Sequence, residues 1–307
     1  MNGAPSARDD RMLLVFPGAL GDFLLLAPGI AALRHGGAAV ELSVRRALAP
    51  LAQELFPGPA GPPADGAAMR SLFAAGLDPT LAAWLRGATH LATWLGEPAV
   101  VACHARALGI THVQCLHVER GEAGPHASTA YASALGVVAV PPERPAAWRA
   151  EARVRGDALV LHPGAGSPAK RWPARGFHAV ADAWRAGGGA TVVVLGPAEE
   201  GEAAAWCDGG HEVASGLELP DVARLLAGIP RYVGNDSGPT HLAALAGCRG
   251  VALFGPTRAE RWRPLHGGIA GGIEPLVYTG RSDEELRARI LARLSVDGRL
   301  DTPTHRH

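Results

Sequence analysis

Lys170 is the only lysine among the 29 lysines and arginines of this 307-residue chain. It lies in His162-Pro163-Gly164-Ala165-Gly166-Ser167-Pro168-Ala169-Lys170-Arg171-Trp172-Pro173, a turn of small residues entered from the apolar run Ala158-Leu159-Val160-Leu161. An ammonium is a compact point charge, and the backbone of a Gly/Ser turn adds N–H donors beside it, a combination that suits a phosphate oxygen. The open alternative is that an Ala-, Gly- and Pro-heavy composition favours arginine and Lys170 is incidental. A second segment, Tyr232-Val233-Gly234-Asn235-Asp236-Ser237-Gly238-Pro239-Thr240-His241, ends an apolar run in cap residues and a proline permitted at a helix start. The free N–H groups and positive dipole end of such a helix bind anions. Asp236 or Ser237 acting only as a cap, with His241 on the first turn, remains the plainer reading. Gly255-Pro256-Thr257, after the run ending at Phe254, is the third feature.

The elements that must position these residues read as alternating strands and helices. Strands are predicted at 11–16, 39–44, 89–95 and 111–118, then at 158–162, 190–195, 211–214, 231–234 and 250–254. Helices are predicted at 22–35, 46–55, 98–108 and 126–136, then at 174–187, 198–207, 219–228 and 238–247. Short continuous apolar runs closed by Gly or Pro are the pattern of parallel strands covered on both faces, so the class is α/β with parallel sheets. Leu13-Leu14-Val15-Phe16 and Ala158-Leu159-Val160-Leu161 each lead into a Pro-Gly-Ala turn, which implies two halves of similar plan. Pro141-Pro142-Glu143-Arg144-Pro145 is read as the join. The expected divisions are 1–145, 146–281, and a C-terminal helix and tail over 282–307, frayed from Asp297 onward.

Ligands of open α/β sheets bind beyond the carboxyl ends of the strands, where all three features fall, so one pocket is expected to collect them. Gly196-Pro197-Ala198-Glu199-Glu200 follows the second strand of the C-terminal half, where an acid can meet ribose hydroxyls. The choice between Glu199 and Glu200 stays open, with Glu200 preferred.

Hydrophobic residues make up 48% and charged residues 19%, enough apolar material for two packed cores. The formal net charge is zero, which excludes a general nucleic-acid footprint. Cys103, Cys115, Cys207 and Cys248 have no CxxC spacing, and His90, His104, His112 and His117 have no ligand spacing, so neither a disulfide framework nor a metal site is expected. Met1 to Arg11 carries no signal-peptide core, and the expected location is the cytoplasm. Neither first turn reads GxGxxG with an acid about 20 residues on, which disfavours a nicotinamide dehydrogenase. Trp84, Trp94, Trp148, Trp184 and Trp206 are read as packing residues; Trp172 is set apart as a possible sugar platform because it adjoins the Lys170 turn.

Four motifs taken in order resemble the lipopolysaccharide heptosyltransferase family, glycosyltransferase family 9. They are Gly18-Ala19-Leu20-Gly21-Asp22, the His162 to Pro173 segment, Gly234 to His241, and Phe254-Gly255-Pro256-Thr257. The resemblance implies a GT-B fold, two Rossmann-like domains facing a central cleft, with the acceptor on the N-terminal domain and the donor on the C-terminal one. It implies an inverting transfer without metal or other cofactor, typically of heptose from ADP-heptose to a glycan or lipopolysaccharide-core acceptor. Contact with the inner face of the cytoplasmic membrane is a further implication. By the same resemblance Asp22 matches the catalytic base, with Gly18 and Gly21 beside the acceptor. The donor set is Gly164, Ser167, Lys170, Glu200, Asp236, Ser237, Gly238, Pro239, Thr240, His241, Gly255, Pro256 and Thr257. Capping of a helix near Phe23 is the simpler role for Asp22. The alternatives are a nucleotide-sugar epimerase of the same fold and an inactive sugar-nucleotide-binding paralogue. Between Asp22 and Glu122 the only cations besides histidine are Arg34, Arg45, Arg46, Arg70, Arg86, Arg106 and Arg120, a sparse face for an anionic acceptor.

Overall fold

A computed structural model describes residues 11–74, 76–265 and 272–295. The chain divides between Pro145 and Ala146 into two compact units. Unit 1 runs β1 (Arg11–Phe16), α1 (Leu20–His35), β2 (Ala39–Val44), α2 (Ala49–Leu55), α3 (Ala67–Arg70), α4 (Pro79–Leu85), β3 (His90–Thr93), α5 (Pro98–Ala107), β4 (His112–Cys115) and α6 (Ala127–Ala134). Its four strands form one sheet in the order β2-β1-β3-β4, all pairs parallel.

Unit 2 runs α7 (Ala146–Ala150), β5 (Ala158–His162), α8 (Ala174–Ala186), β6 (Ala190–Val194), α9 (Ala203–Asp208), β7 (Glu212–Ala214) and α10 (Leu219–Gly228). It continues with β8 (Arg231–Asn235), α11 (Gly238–Ala246), β9 (Arg249–Phe254), α12 (Ala259–Trp262), β10 (Ile273–Val277) and α13 (Asp283–Ser295). Its six strands lie in the order β10-β9-β8-β5-β6-β7, again all parallel.

The apolar runs become strands because helices cover both sheet faces, leaving β5 buried along its whole length. α8 buries Phe177, Val180, Ala181 and Trp184 on one stripe at helical spacing. Leu286, Ile290 and Leu294 of α13 enter the same core, so the helix expected to stand with the tail is a packed part of unit 2. The tail from Asp297 lies outside the described residues. Trp172 also belongs to this core, at 2% exposed and with its ring 5.2 Å from Phe177. That corrects its reading as a sugar platform: the indole faces the interior and its Nε1 donates to Asp283 Oδ1 at 3.1 Å.

In both sheets the strand order reverses beside the first strand. After β1 and β2 the chain crosses to β3 on the other side of β1; after β5, β6 and β7 it crosses to β8 on the other side of β5. These reversals part the loops at the carboxyl ends of the strands, where α/β sheets take their ligands.

Candidate functional site

In unit 2 the loops after β5, β8 and β9, three adjacent strands, converge on one carboxylate. Asp236 is 5% exposed, and its Oδ2 accepts from Lys170 Nζ at 2.8 Å and from Thr257 Oγ1 at 2.6 Å. Lys170 closes a short 3-10 turn, Pro168–Lys170, whose N–H returns to the Ser167 carbonyl at 3.0 Å. Its side chain is 32% exposed, so an ammonium with three protons is anchored through one of them at a position that solvent reaches.

Asn235, quoted in the motif but given no role from sequence, fixes this loop at both ends. Its Oδ1 accepts from the Trp172 N–H at 3.0 Å, while its Nδ2 donates to the Pro163 carbonyl at 2.7 Å. The residue is fully buried, so the bonds are not exchanged with water. Tyr278 adds a second support: its ring lies where a Gly255 Cβ would be, its N–H donates to the Phe254 carbonyl at 2.9 Å, and its hydroxyl reaches the Ala169 carbonyl at 3.4 Å. Pro256 stands exposed between Gly255 and Thr257.

The start of α11 lies just after β8, beside Asp236. Ser237 is its N-cap, Gly238 its first residue, and Pro239 has no N–H to satisfy. Gly238 and Pro239 are half-exposed, whereas Ser237 and His241 are 9% and 7% exposed. Thr240 departs from the expected donor contact. It is fully buried, its N–H returns to the Ser237 carbonyl, and its hydroxyl donates to the Asn235 carbonyl at 2.5 Å. With that proton committed, Tyr232 and Ser237 donate to Thr240 Oγ1 at 2.9 and 3.2 Å, and the residue holds the turn from behind.

Glu199 and Glu200 separate clearly. Glu199 is 5% exposed and ion-paired with Arg171, and its carboxylate lies where a Gly164 Cβ would be, 2.7 Å from that point. Glu200 opens a 3-10 turn over Glu200–Glu202 and is exposed. Beneath the loop, His162 is buried, and its Nδ1 donates to the Val194 carbonyl at 2.9 Å. Burial holds its pKa down to about 4, so the ring is neutral.

In unit 1, Asp22 occupies the third position of α1, which begins at Leu20 with Ala19 at the cap. The cap role weighed for Asp22 is therefore excluded. Gly18 packs closely beside it, since a Cβ there would lie 2.4 Å from the Phe16 ring and 3.1 Å from Asp22 Cβ. Gly21 is the residue before Asp22 in the same first turn. Tyr131 of α6 donates its hydroxyl to Asp22 Oδ1 at 3.3 Å, a partner that sequence reading missed because 109 residues separate the two. Among the described residues no group of three metal-ligating side chains is present, and no helix is long and apolar enough to cross a membrane.

These features define a class: α/β proteins with two parallel sheets, one of which gathers a lysine, a buried aspartate and a helix start at its strand reversal. The profile of glycosyltransferase family 9 (heptosyltransferase) matches residues 114–270, just over half of the sequence, and the chain belongs to that family. Lipopolysaccharide heptosyltransferase 3 of Escherichia coli is 30% identical over 138 residues, a match spanning 39% of each protein. The glycosyltransferase family 9 structure from Veillonella parvula is similar with a TM-score of 0.71 at 19% identity, over 94% of this chain and 92% of that one. E. coli ADP-heptose heptosyltransferase II gives 0.71 at 19% identity over 92% and 98%. E. coli heptosyltransferase WaaC with ADP gives 0.69 at 16% identity over 92% and 99%. The two parallel-sheet units are thus similar to those of solved heptosyltransferases, as the GT-B expectation required.

Proposed function

We propose that the protein is an inverting glycosyltransferase that moves heptose from ADP-heptose to a glycan or lipopolysaccharide-core-type acceptor. The observation that carries this reading is the meeting of Lys170 and Thr257 on Asp236 beside the N-terminus of α11. Family membership and the likeness to solved ADP-heptose heptosyltransferases support this choice of donor.

In this reading Asp22 takes the proton of the acceptor hydroxyl as its oxygen bonds to the anomeric carbon. The bond from that carbon to the diphosphate breaks on the opposite face, which inverts the centre, and ADP leaves with the electron pair. Negative charge grows on the departing diphosphate. In this reading Lys170, Ser167, the Gly164 backbone and the Ser237 and Gly238 end of α11 stabilise it without a metal ion. His241 donates to a phosphate from the first turn, and the Gly255-Pro256-Thr257 loop closes the same pocket. Glu200 is assigned to the ribose hydroxyls because Glu199 is held by Arg171.

The test is calorimetry with ADP together with a transfer assay in chelator. Lys170→Ala is expected to weaken ADP binding by about tenfold or more, the loss of a charge-assisted contact. Asp22→Asn is expected to leave ADP affinity unchanged and abolish transfer. Unchanged ADP affinity in Lys170→Ala would remove the phosphate role. Donor consumption without any acceptor would favour an epimerase, and intact donor binding with no turnover in the native protein would favour an inactive paralogue.

A further inference from the structure

Tyr131 lies on α6, far in sequence from α1, and its ring is 1% exposed. It stands edge-on to Phe16, with centroids 5.8 Å apart and planes at 85°, and packs on Trp94 at 6.3 Å. Phe16 and Trp94 in turn meet edge-on at 5.2 Å, so the phenol is closed in on two sides. α6 is itself drawn against α1 at Gly29, where a Cβ would lie 3.1 Å from Leu135 Cδ1 and 3.3 Å from Ala132 Cα. From this anchorage the hydroxyl meets Asp22 Oδ1 at 3.3 Å and receives the Glu119 N–H at 3.2 Å. A phenol has one proton, and with the Glu119 amide on its oxygen that proton is directed to the carboxylate.

We propose that Tyr131 is a positioning residue for the transfer: its hydroxyl, aimed by ring packing and the Glu119 amide, holds the Asp22 carboxylate in one orientation and favours its ionised form. The inference rests on Asp22 being the base. The ionisable groups acting on the phenol are Asp22 from α1 and Glu119 from the loop after β4. Burial first, and the Asp22 charge next, hold its pKa well above the ordinary tyrosine value, so it remains a neutral donor. Hydrogen bonds from a hydroxyl to a carboxylate usually close to about 2.5–2.7 Å, so a 3.3 Å bond is a weak member of the class. Its effect is accordingly modest. Such bonds in ligand-free sites tighten when substrate arrives, which makes turnover the more sensitive readout.

The experiment is a 13C NMR titration of the full-length protein labelled at aspartate Cγ, with the Asp22 resonance assigned by its loss in Asp22→Asn. Tyr131→Phe keeps the ring and removes the donor, and is expected to raise the Asp22 midpoint by about half a unit. Replacing tyrosine by 3-fluorotyrosine makes the phenol a stronger donor and is expected to move the midpoint the other way, which guards against a folding defect in the variant. An unchanged midpoint under both perturbations overturns the proposal, and this titration needs no acceptor. In a transfer assay with ADP-heptose as donor probe and Kdo-lipid A as acceptor probe, Tyr131→Phe is expected to lower kcat by about threefold to tenfold. The donor KM stays fixed and the acid limb of the rate profile moves up with the midpoint. A purely structural lesion would lower the melting temperature and leave that limb in place. If Asp22→Asn transfers normally, the base assignment fails whatever Tyr131 does. If Asp22→Asn is inactive while Tyr131→Phe shifts neither midpoint nor limb, the positioning role alone fails.

Discussion

Single residues carry two kinds of information here, and they were unequally legible. Lys170 and Asp236 stood out by rarity and by motif, because a lone lysine after a glycine turn and an acid before a helix start are local patterns. Their supports were not legible: Asn235 acts on carbonyls 71 and 72 residues away, and Tyr278 fills the space a Gly255 side chain would need. The burial of Trp172 is not legible either, because adjacency in sequence to the Lys170 turn says nothing about which way an indole faces. His162 shows how such a support shapes behaviour. Its pKa falls from 6.5 in the unfolded chain to about 4 when buried, so between these values the unfolded state binds the extra proton. Folding stability is therefore full above about pH 6.5 and falls as the pH drops toward 4, by about 3 kcal/mol across the window. His211, whose pKa burial also lowers, adds in the same direction. His162→Asn keeps a donor for the Val194 carbonyl and has nothing to titrate. Its melting temperature is expected to decline less steeply on acidification than that of the native chain; parallel declines would count against this account.

At the scale of elements, strands buried on both faces announced themselves, since β5 and β9 are apolar runs that no amphipathic helix would show. β10 did not. Ile273-Glu274-Pro275 breaks the apolar pattern, and the strand is tolerated because it lies at the sheet edge, where a missing N–H costs little. α1 begins two residues before the expected start at 22, which Pro17 and Gly18 obscure in the sequence, and so Asp22 is a first-turn residue rather than a cap. The packing of β9 on β8 depends on one position that sequence left unremarked. Gly250 has φ +144°, and a Cβ there would lie 1.9 Å from the Tyr232 carbonyl oxygen of the paired strand. Gly250→Ala combines a backbone conformation closed to side chains with overlap against another backbone, and is expected to destabilise unit 2 by about 3 kcal/mol or more. That should lower the melting temperature by several degrees and weaken ADP binding, because β8 and β9 carry Asp236 and Thr257. A variant melting like the native protein would show that the strands re-space at little cost.

For the whole molecule, the echo of a Pro-Gly-Ala turn about 145 residues apart made a two-part plan readable, because each part repeats the same strand-to-turn exit. What the acceptor is was less readable, for a physical reason. The donor determinants are charges and helix ends concentrated in unit 2, while unit 1 between Asp22 and Glu122 offers few cations and much Ala, Gly and Pro. The family match covers residues 114–270, which takes in most of unit 2 and only the last part of unit 1. A consequence can be measured. The core of unit 2 is drawn from β5, α8, β6, α9, β8, β9, β10 and α13 of that unit alone, enough buried apolar surface for a domain of ordinary size. Every side chain assigned to the nucleotide, from Gly164 to Thr257, belongs to it. A chain beginning at Ala146 is therefore expected to melt cooperatively and to bind ADP with a Kd within about threefold of the full-length value, a difference below about 0.7 kcal/mol. It should catalyse no transfer, since it lacks Asp22. Calorimetry on the two proteins decides the matter: a folded fragment that leaves ADP unbound, where the full chain binds it, would mean that the nucleotide pocket draws on unit 1 and that the donor set is incomplete.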